Sequence, residues 1–218
     1  MKIAVLGTGM VGDAIGSKLV ELGHSVMMGS RTSNNEKAMA FVAKYAGGKA
    51  SAGTFADSAA FGEIIFNCTK GMETLNILKS AGEHNLDGKI LVDIANPLDF
   101  SKGMPPTLAV CNTNSLGEEI QAAFPGLKVV KSLNTMNCML MVNPGMLNGG
   151  DHNVFMSGND AEAKKQVAQI LKSFGWIENN IIDLGDITTA RGTEMMLPFW
   201  LSIFISRNNG NFNFKLVS

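Results

Sequence analysis

Residues 7 to 12 read GTGMVG, and they sit between two stretches of different periodicity. The run KIAVLG at 2–7 is apolar without alternation, the mark of a strand covered on both faces. In MVGDAIGSKLVELG, 10–23, Val11, Ile15, Leu19 and Leu22 recur at helical spacing and Gly23 closes the run. HSVMMG at 24–29 returns to a strand. A glycine-rich turn in that setting has few uses. Gly7 permits the sharp exit from the strand. Gly9 keeps a side chain away from the place where a pyrophosphate approaches the backbone. Gly12 lets the helix lie close to the strand. The first-turn amides of the helix then face the phosphates, with the helix dipole behind them. The arrangement predicts a dinucleotide site built on Gly7, Thr8, Gly9, Met10, Val11 and Gly12.

The same alternation continues. A helix is expected over 35–48, a short edge strand over 49–54, a strand over 63–69, a helix over 72–82 and a strand over 88–96 ended by Pro97. Apolar strands spaced by helices form a parallel sheet covered on both sides, and right-handed crossovers make it doubly wound. The second half is less regular. It predicts a helix at 114–124, strands at 127–134 and 152–158, a helix at 160–175, a short strand or loop at 181–186 and a last helix at 188–207 bent near Pro198. The loop between Asn134 and His152 is long enough to suggest a functional role. The expected fold is α/β, a Rossmann-type doubly wound parallel sheet. Residues 1–132 form the nucleotide-binding domain, and 133–218 form a smaller C-terminal α/β extension packed on it.

The end of the second strand selects the cofactor. An NAD site wants an acid about 20 residues after the motif, to accept from the ribose 2′-hydroxyl. Gly29-Ser30-Arg31-Thr32 stands there instead, and the nearest acids are Glu21 and Glu36. Ser30 and Thr32 can donate, Arg31 carries a planar fork suited to phosphate, and Lys37 adds charge. NADP(H) is the cofactor this predicts. Ligands of such sheets sit at the C-terminal strand ends. Thr69 and Lys70 are therefore expected at the second ribose or the phosphates, and Ala95 and Asn96 at the nicotinamide.

Other chemistries find little support. A net charge of -1 gives no field for nucleic acid or an acidic membrane. The apolar stretch MMLPFWLSIFI at 195–205 is far short of the ~20 residues a membrane span needs. No signal-peptide pattern opens the chain, so a cytoplasmic protein is expected. Cys68, Cys111 and Cys138 are expected as buried free thiols. His24, His84 and His152 stand alone, and neither GxSxG nor HExxH occurs, so no metal site or hydrolase is predicted. Hydride transfer demands less, because the cofactor supplies the reactivity and the protein supplies orientation and a dry slot. That slot is expected where ANPLDF, 95–100, faces SLNTMNCMLMVNPG, 132–145. Its polar groups are Asn96, Asn134, Thr135 and Asn137, and its soft apolar surface is Met136, Met139 and Met141. Pro97 and Leu98 complete the acceptor pocket. Reduction of a small carbonyl or imine is the second enzymatic reading, with Lys70, Lys131 or Thr135 as proton donor. A non-catalytic NADP(H)-sensing module is the third.

The chain resembles the NADPH-dependent F-420 reductases, the deazaflavin NADP oxidoreductases, and through them the reductase domain of the STEAP metalloreductases. The resemblance lies in IAVLGTGMVG with GHSVMMGSR, in DIANPL, in VVKSLNT followed by NPG, and in the stretch from Ala190-Arg191 through LPFWLSIF to Phe214-Lys215-Leu216. It implies hydride exchange between NADP(H) and a small-molecule redox acceptor, a flavin or deazaflavin, in a homodimer. It places Thr8, Gly9, Met10 and Val11 at the pyrophosphate, Ser30 and Arg31 at the 2′-phosphate, and Thr69, Ala95 and Asn96 beside the nicotinamide. Archaeal members that use F-420 carry a His at the position of Asn134 and a Pro-containing turn at Thr69-Lys70-Gly71. The acceptor therefore stays open among F-420, FMN and FAD.

Overall fold

The computed structural model describes residues 1–217. Its sheet begins with β1 (Lys2–Leu6), β2 (Ser25–Ser30) and β3 (Ala50–Thr54), joined by α1 (Met10–Glu21) and α2 (Glu36–Ala43). The chain then crosses to the other side of β1. After α3 (Phe55–Phe61) it lays down β4 (Ile64–Asn67) and β5 (Ile90–Asp93) there, with α4 (Thr74–Ala81) and α5 (Glu83–Leu86) between the two strands. A small hairpin, β6 (Leu98–Asp99) and β7 (Thr107–Leu108), precedes α6 (Leu116–Ala123), β8 (Lys128–Ser132) and α7 (Cys138–Val142). The chain ends with β9 (Val154–Gly158), α8 (Ala161–Phe174), β10 (Ile181–Asp183) and α9 (Ala190–Arg207).

The eight-stranded sheet has the order β10-β9-β8-β5-β4-β1-β2-β3. Every pairing is parallel except β8 with β9. This is the doubly wound Rossmann-type sheet the sequence predicts, with β3 on one edge. β9 and β10 carry the same sheet past residue 132, so the C-terminal part shares its hydrogen-bond ladder.

Side chains alternate between two cores, as a strand's period of two requires. Ile3 and Val5 join Ile15 and Leu19 of α1 and Val167 and Leu171 of α8. Ala4 and Leu6 face the other way, onto Phe55 of α3, Leu78 of α4 and Ile120 of α6. Both faces are covered, which explains why the strands read as unbroken apolar runs.

The structure departs from the sequence reading in places. α2 stops at Ala43, before two glycines in left-handed conformation, Gly47 and Gly48. α3 has no counterpart in the sequence reading. A reciprocal cap holds it, in which Thr54 Oγ1 accepts from Asp57 N and Asp57 Oδ2 accepts from Thr54 N. The segment expected as a loop before His152 contains α7, capped by Asn137, and two short 3-10 turns. Cys68 and Cys138 are half-buried, but Cys111 lies exposed in the loop before α6, contrary to expectation. No helix among the described residues is long and apolar enough to cross a membrane. No group of His, Cys, Asp or Glu among them is placed to hold a metal ion.

Candidate active site

The chain reverses direction across the sheet between β1 and β4, and a crevice opens at the C-terminal ends of these strands. Three glycines shape its floor. Gly7 has φ +112°, and a Cβ there would lie 2.6 Å from the Cys68 carbonyl oxygen. A Cβ on Gly12 would lie 2.1 Å from the Gly7 oxygen, so Gly12 acts through packing and does not line the crevice. A Cβ on Gly9 would meet nothing within 4 Å. Gly9 is also the N-cap of α1 and offers no side chain to its first-turn amides. A clear approach and uncapped amides are the fit a pyrophosphate needs.

The crevice is a cavity of about 450 Å³ bordered by Gly7, Thr8, Gly9, Ser30, Arg31, Asn35, Thr69 and Lys70. Arg31 is exposed at its far end and also borders a neighbouring cavity of about 400 Å³ with Phe55 and Ile77. Ser30 differs from its expected role. It is almost buried, and its hydroxyl donates to the Thr32 carbonyl at 2.5 Å, so it shapes the turn that presents Arg31. Thr32 contributes that carbonyl and stands outside the crevice wall.

A second cavity of about 760 Å³ continues from the first. Cys68, Thr69, Lys70 and Glu73 border both. Met10 and Val11 face this second space, together with Ala95, Asn96, Leu98, Asn134, Met136 and Met141. Asn96 and Asn134 clasp each other: Asn96 Nδ2 donates to the Asn134 carbonyl at 2.8 Å, and Asn134 Nδ2 donates to Asn96 Oδ1 at 2.9 Å. Gly71 lets the 69–71 loop rest on this floor, since a Cβ there would lie 2.1 Å from the Asn96 oxygen.

Four expected members lie elsewhere. Pro97 is buried behind the wall, with its carbonyl held by Ala109 N, and Thr135 is buried outside the cavity. Asn137 is spent on capping α7 and on the Gly210 carbonyl. Met139 is exposed beside α1. The far wall comes from α9, through Leu197, Trp200 and Leu201, and the hairpin adds Phe100. Phe100 closes the ANPLDF segment in which the slot was expected, whereas the sequence reading assigned the three α9 residues no place in the pocket.

Beneath the floor runs a buried polar network. Lys131 has no exposed side-chain surface, so it cannot serve as a proton donor to substrate. Its ammonium donates to Asp93 Oδ2 at 2.8 Å, lies 2.7 Å from Glu194 Oε1, and donates to the Ala95 carbonyl at 2.5 Å. Asp93 Oδ1 accepts from Asn67 Nδ2 at 2.7 Å and from Ala95 N at 3.2 Å. Asn67 Oδ1 accepts from the Thr69 hydroxyl at 2.7 Å. Glu194, on α9, accepts from the first amides of α6, Leu116 N at 2.8 Å and Gly117 N at 3.1 Å. Burial alone would lower the Lys131 pKa, but Asp93 and Glu194 outweigh it and hold the ammonium charged. Burial also pushes the Cys68 thiol up, with Asp93 adding to the effect.

Burial pushes the Glu194 carboxyl above the usual glutamate range, against the pull of Lys131. A carboxyl with a higher pKa folded than unfolded holds its proton more tightly in the folded chain. Its contribution to stability is present below the ordinary value of ~4.3 and is lost as pH rises through the raised value. The melting temperature of the wild type should therefore fall relative to that of Glu194→Gln as pH rises above ~4.3. Paired thermal melts across that window check this, and a pH-independent difference contradicts it.

The comparisons with known proteins meet this geometry. A family profile described as NADP oxidoreductase coenzyme F420-dependent matches residues 2–97. A solved structure from Arthrobacter sp. FB24, assigned as an F420-dependent NADP-reductase, is 52% identical, covers 100% of both chains and has a TM-score of 0.94. The chain belongs to the F420-dependent NADP oxidoreductase family. Members of this family are NADP-dependent oxidoreductases, and so is this protein. Metalloreductase STEAP3 of Rattus norvegicus is 27% identical over 204 residues, 91% of this chain and 38% of the relative. The chain thus spans well under half the length of that curated relative. The imine reductase BcSIRED from Bacillus cereus BAG3X2 is similar in fold, with 18% identity, a TM-score of 0.63, and coverage of 95% of this chain and 62% of that one.

Proposed function

We propose that this F420-dependent NADP oxidoreductase family member passes a hydride between NADP(H) and a flat redox ring, a deazaflavin of the F-420 kind or a flavin. The observation that carries this reading is the join between the two cavities. The apolar space of about 760 Å³ opens directly off the dinucleotide crevice and shares Cys68, Thr69, Lys70 and Glu73 with it. Bound NADP(H) supplies the hydride chemistry.

The chain's residues do the rest. Gly9 and the α1 amides receive the pyrophosphate, and Arg31 receives the 2′-phosphate. Leu197, Trp200, Leu201, Met136 and Met141 exclude water and offer apolar surface and polarizable sulfur to a flat ring, with Trp200 held in place by stacking on Phe204 and Phe212. Asn96 and Asn134 each donate one amide N–H to the other, which stiffens the floor. A conjugated ring spreads the incoming charge and needs no dedicated acid. A carbonyl or imine does need one. Of the three donors considered for that reaction, Lys131 and Thr135 lie outside the cavity and only Lys70 reaches its rim. The ring reading therefore has the better support.

Leu98 lies half-buried in the cavity wall on the hairpin. Leu98→Trp should fill the ring's place and lower kcat/KM for the acceptor at least about tenfold, while the Kd for NADP+ changes less than about twofold. Steady-state kinetics beside NADP+ titrations check it. An unchanged kcat/KM contradicts the placement of the acceptor.

A further inference from the structure

The Lys131 network touches neither cavity with a charged atom, yet it reaches both. Its ammonium has three hydrogens, and each has an acceptor on a different part of the site: Asp93, Glu194 and the Ala95 carbonyl. The Asp93 branch runs through Asn67 to the Thr69 hydroxyl, on the loop shared by both cavities. The Ala95 branch holds the backbone just before Asn96, on the floor. The Glu194 branch ends on α9, about one turn before Leu197 and about two turns before Leu201, which form the far wall. Glu194 in turn fixes the start of α6. A buried network satisfied at every member is rigid, and its members shift together.

We propose that Lys131 is a positioning residue for hydride transfer, tying the cofactor loop at Thr69, the floor at Ala95 and the acceptor wall on α9 into one rigid unit. The inference rests on the reading of the two cavities as cofactor and acceptor sites. It makes Lys131 distinct from a core residue that only stabilises the fold. Its removal should affect the nicotinamide end of the cofactor and spare the adenylate end. That adenylate end is held by Gly9 and Arg31, and the network makes no hydrogen bond to either.

The test uses two probes, NADP+ and 2′,5′-ADP, the second of which lacks the nicotinamide half. Affinities are measured by calorimetry on the full chain at a temperature where each variant is folded. In Lys131→Met the Kd for NADP+ should rise about tenfold, with that for 2′,5′-ADP within about twofold of wild type. Any ring turnover present in the wild type should fall by at least that factor. A purely structural role would weaken both ligands in proportion to the fraction unfolded. An unchanged ratio of the two Kd values therefore overturns the proposal. Should Lys131→Met not fold, Glu194→Gln decides. It leaves Lys131 paired with Asp93 and slackens the α9 branch together with its hold on the start of α6, and the ratio should shift about threefold in the same direction. A wild-type ratio in that variant overturns the proposal equally. The ratio is read without any acceptor. Failure of the wild type to reduce a ring would count against the functional reading and leave this result standing.

Discussion

Replacing Arg31 with alanine should weaken NADPH binding about 10- to 100-fold and NADH binding less than about twofold. Hydrogen bonds to a charged partner are worth about 1.5–3 kcal/mol, and a guanidinium makes them in pairs to phosphate. Arg31 is the cation at the end of β2, exposed in the crevice wall, and the turn that presents it is held by the Ser30 to Thr32 bond. The residues on either side of it add little, because the Ser30 hydroxyl is committed and Thr32 stands outside the wall. The loss should shrink as salt rises, since the site is open to solvent. Fluorescence titrations with both cofactors at two ionic strengths decide the matter. Equal losses for NADPH and NADH contradict the assignment of Arg31.

Lys131→Met should cost about 3–5 kcal/mol of folding stability, because two carboxylates then stay buried without their cation. Asp93 and Glu194 have at most 1% of their side chains exposed, so neither gains hydration from the change. For a chain of this length, about 2–4 °C of melting temperature follows each kcal/mol. Urea titration of the two proteins measures the difference. A loss below about 1 kcal/mol would mean that the network contributes little to the fold.

The cofactor half was legible because its parts are contiguous. Gly7, Gly9 and Gly12 act through backbone geometry within one turn, and the missing acid after β2 is a local fact. The second cavity was legible only in part. Leu98, Asn134 and Met136 were named from the strand ends, but Leu197, Trp200 and Leu201 arrive on α9 from far along the chain, and only packing brings them in. Local needs misled the reading at Asn137, where capping α7 took a side chain expected in the pocket.

The buried network left a signal that went unread. Asp93 and Lys131 each interrupt an apolar strand, and they prove to be register partners across β5 and β8. One acid and one base at the same depth of neighbouring strands point to a buried pair. Glu194 left no such mark, since a glutamate in a helix is ordinary and its partners come from α6 and β8. α3 escaped because seven residues give too short a period, although Thr54 and Asp57 stand at capping-box spacing.

Hydride transfer between NADP(H) and a ring in the second cavity is directly measurable. The most direct measurement is anaerobic NADPH oxidation by the purified chain, with oxidised F-420, FMN and FAD offered in parallel and NADH as the control donor. Rapid turnover is expected with at least one ring and NADPH, and little with NADH. Tight NADPH binding with no ring reduced would contradict it, and would move small carbonyl or imine reduction, or cofactor sensing, to the front.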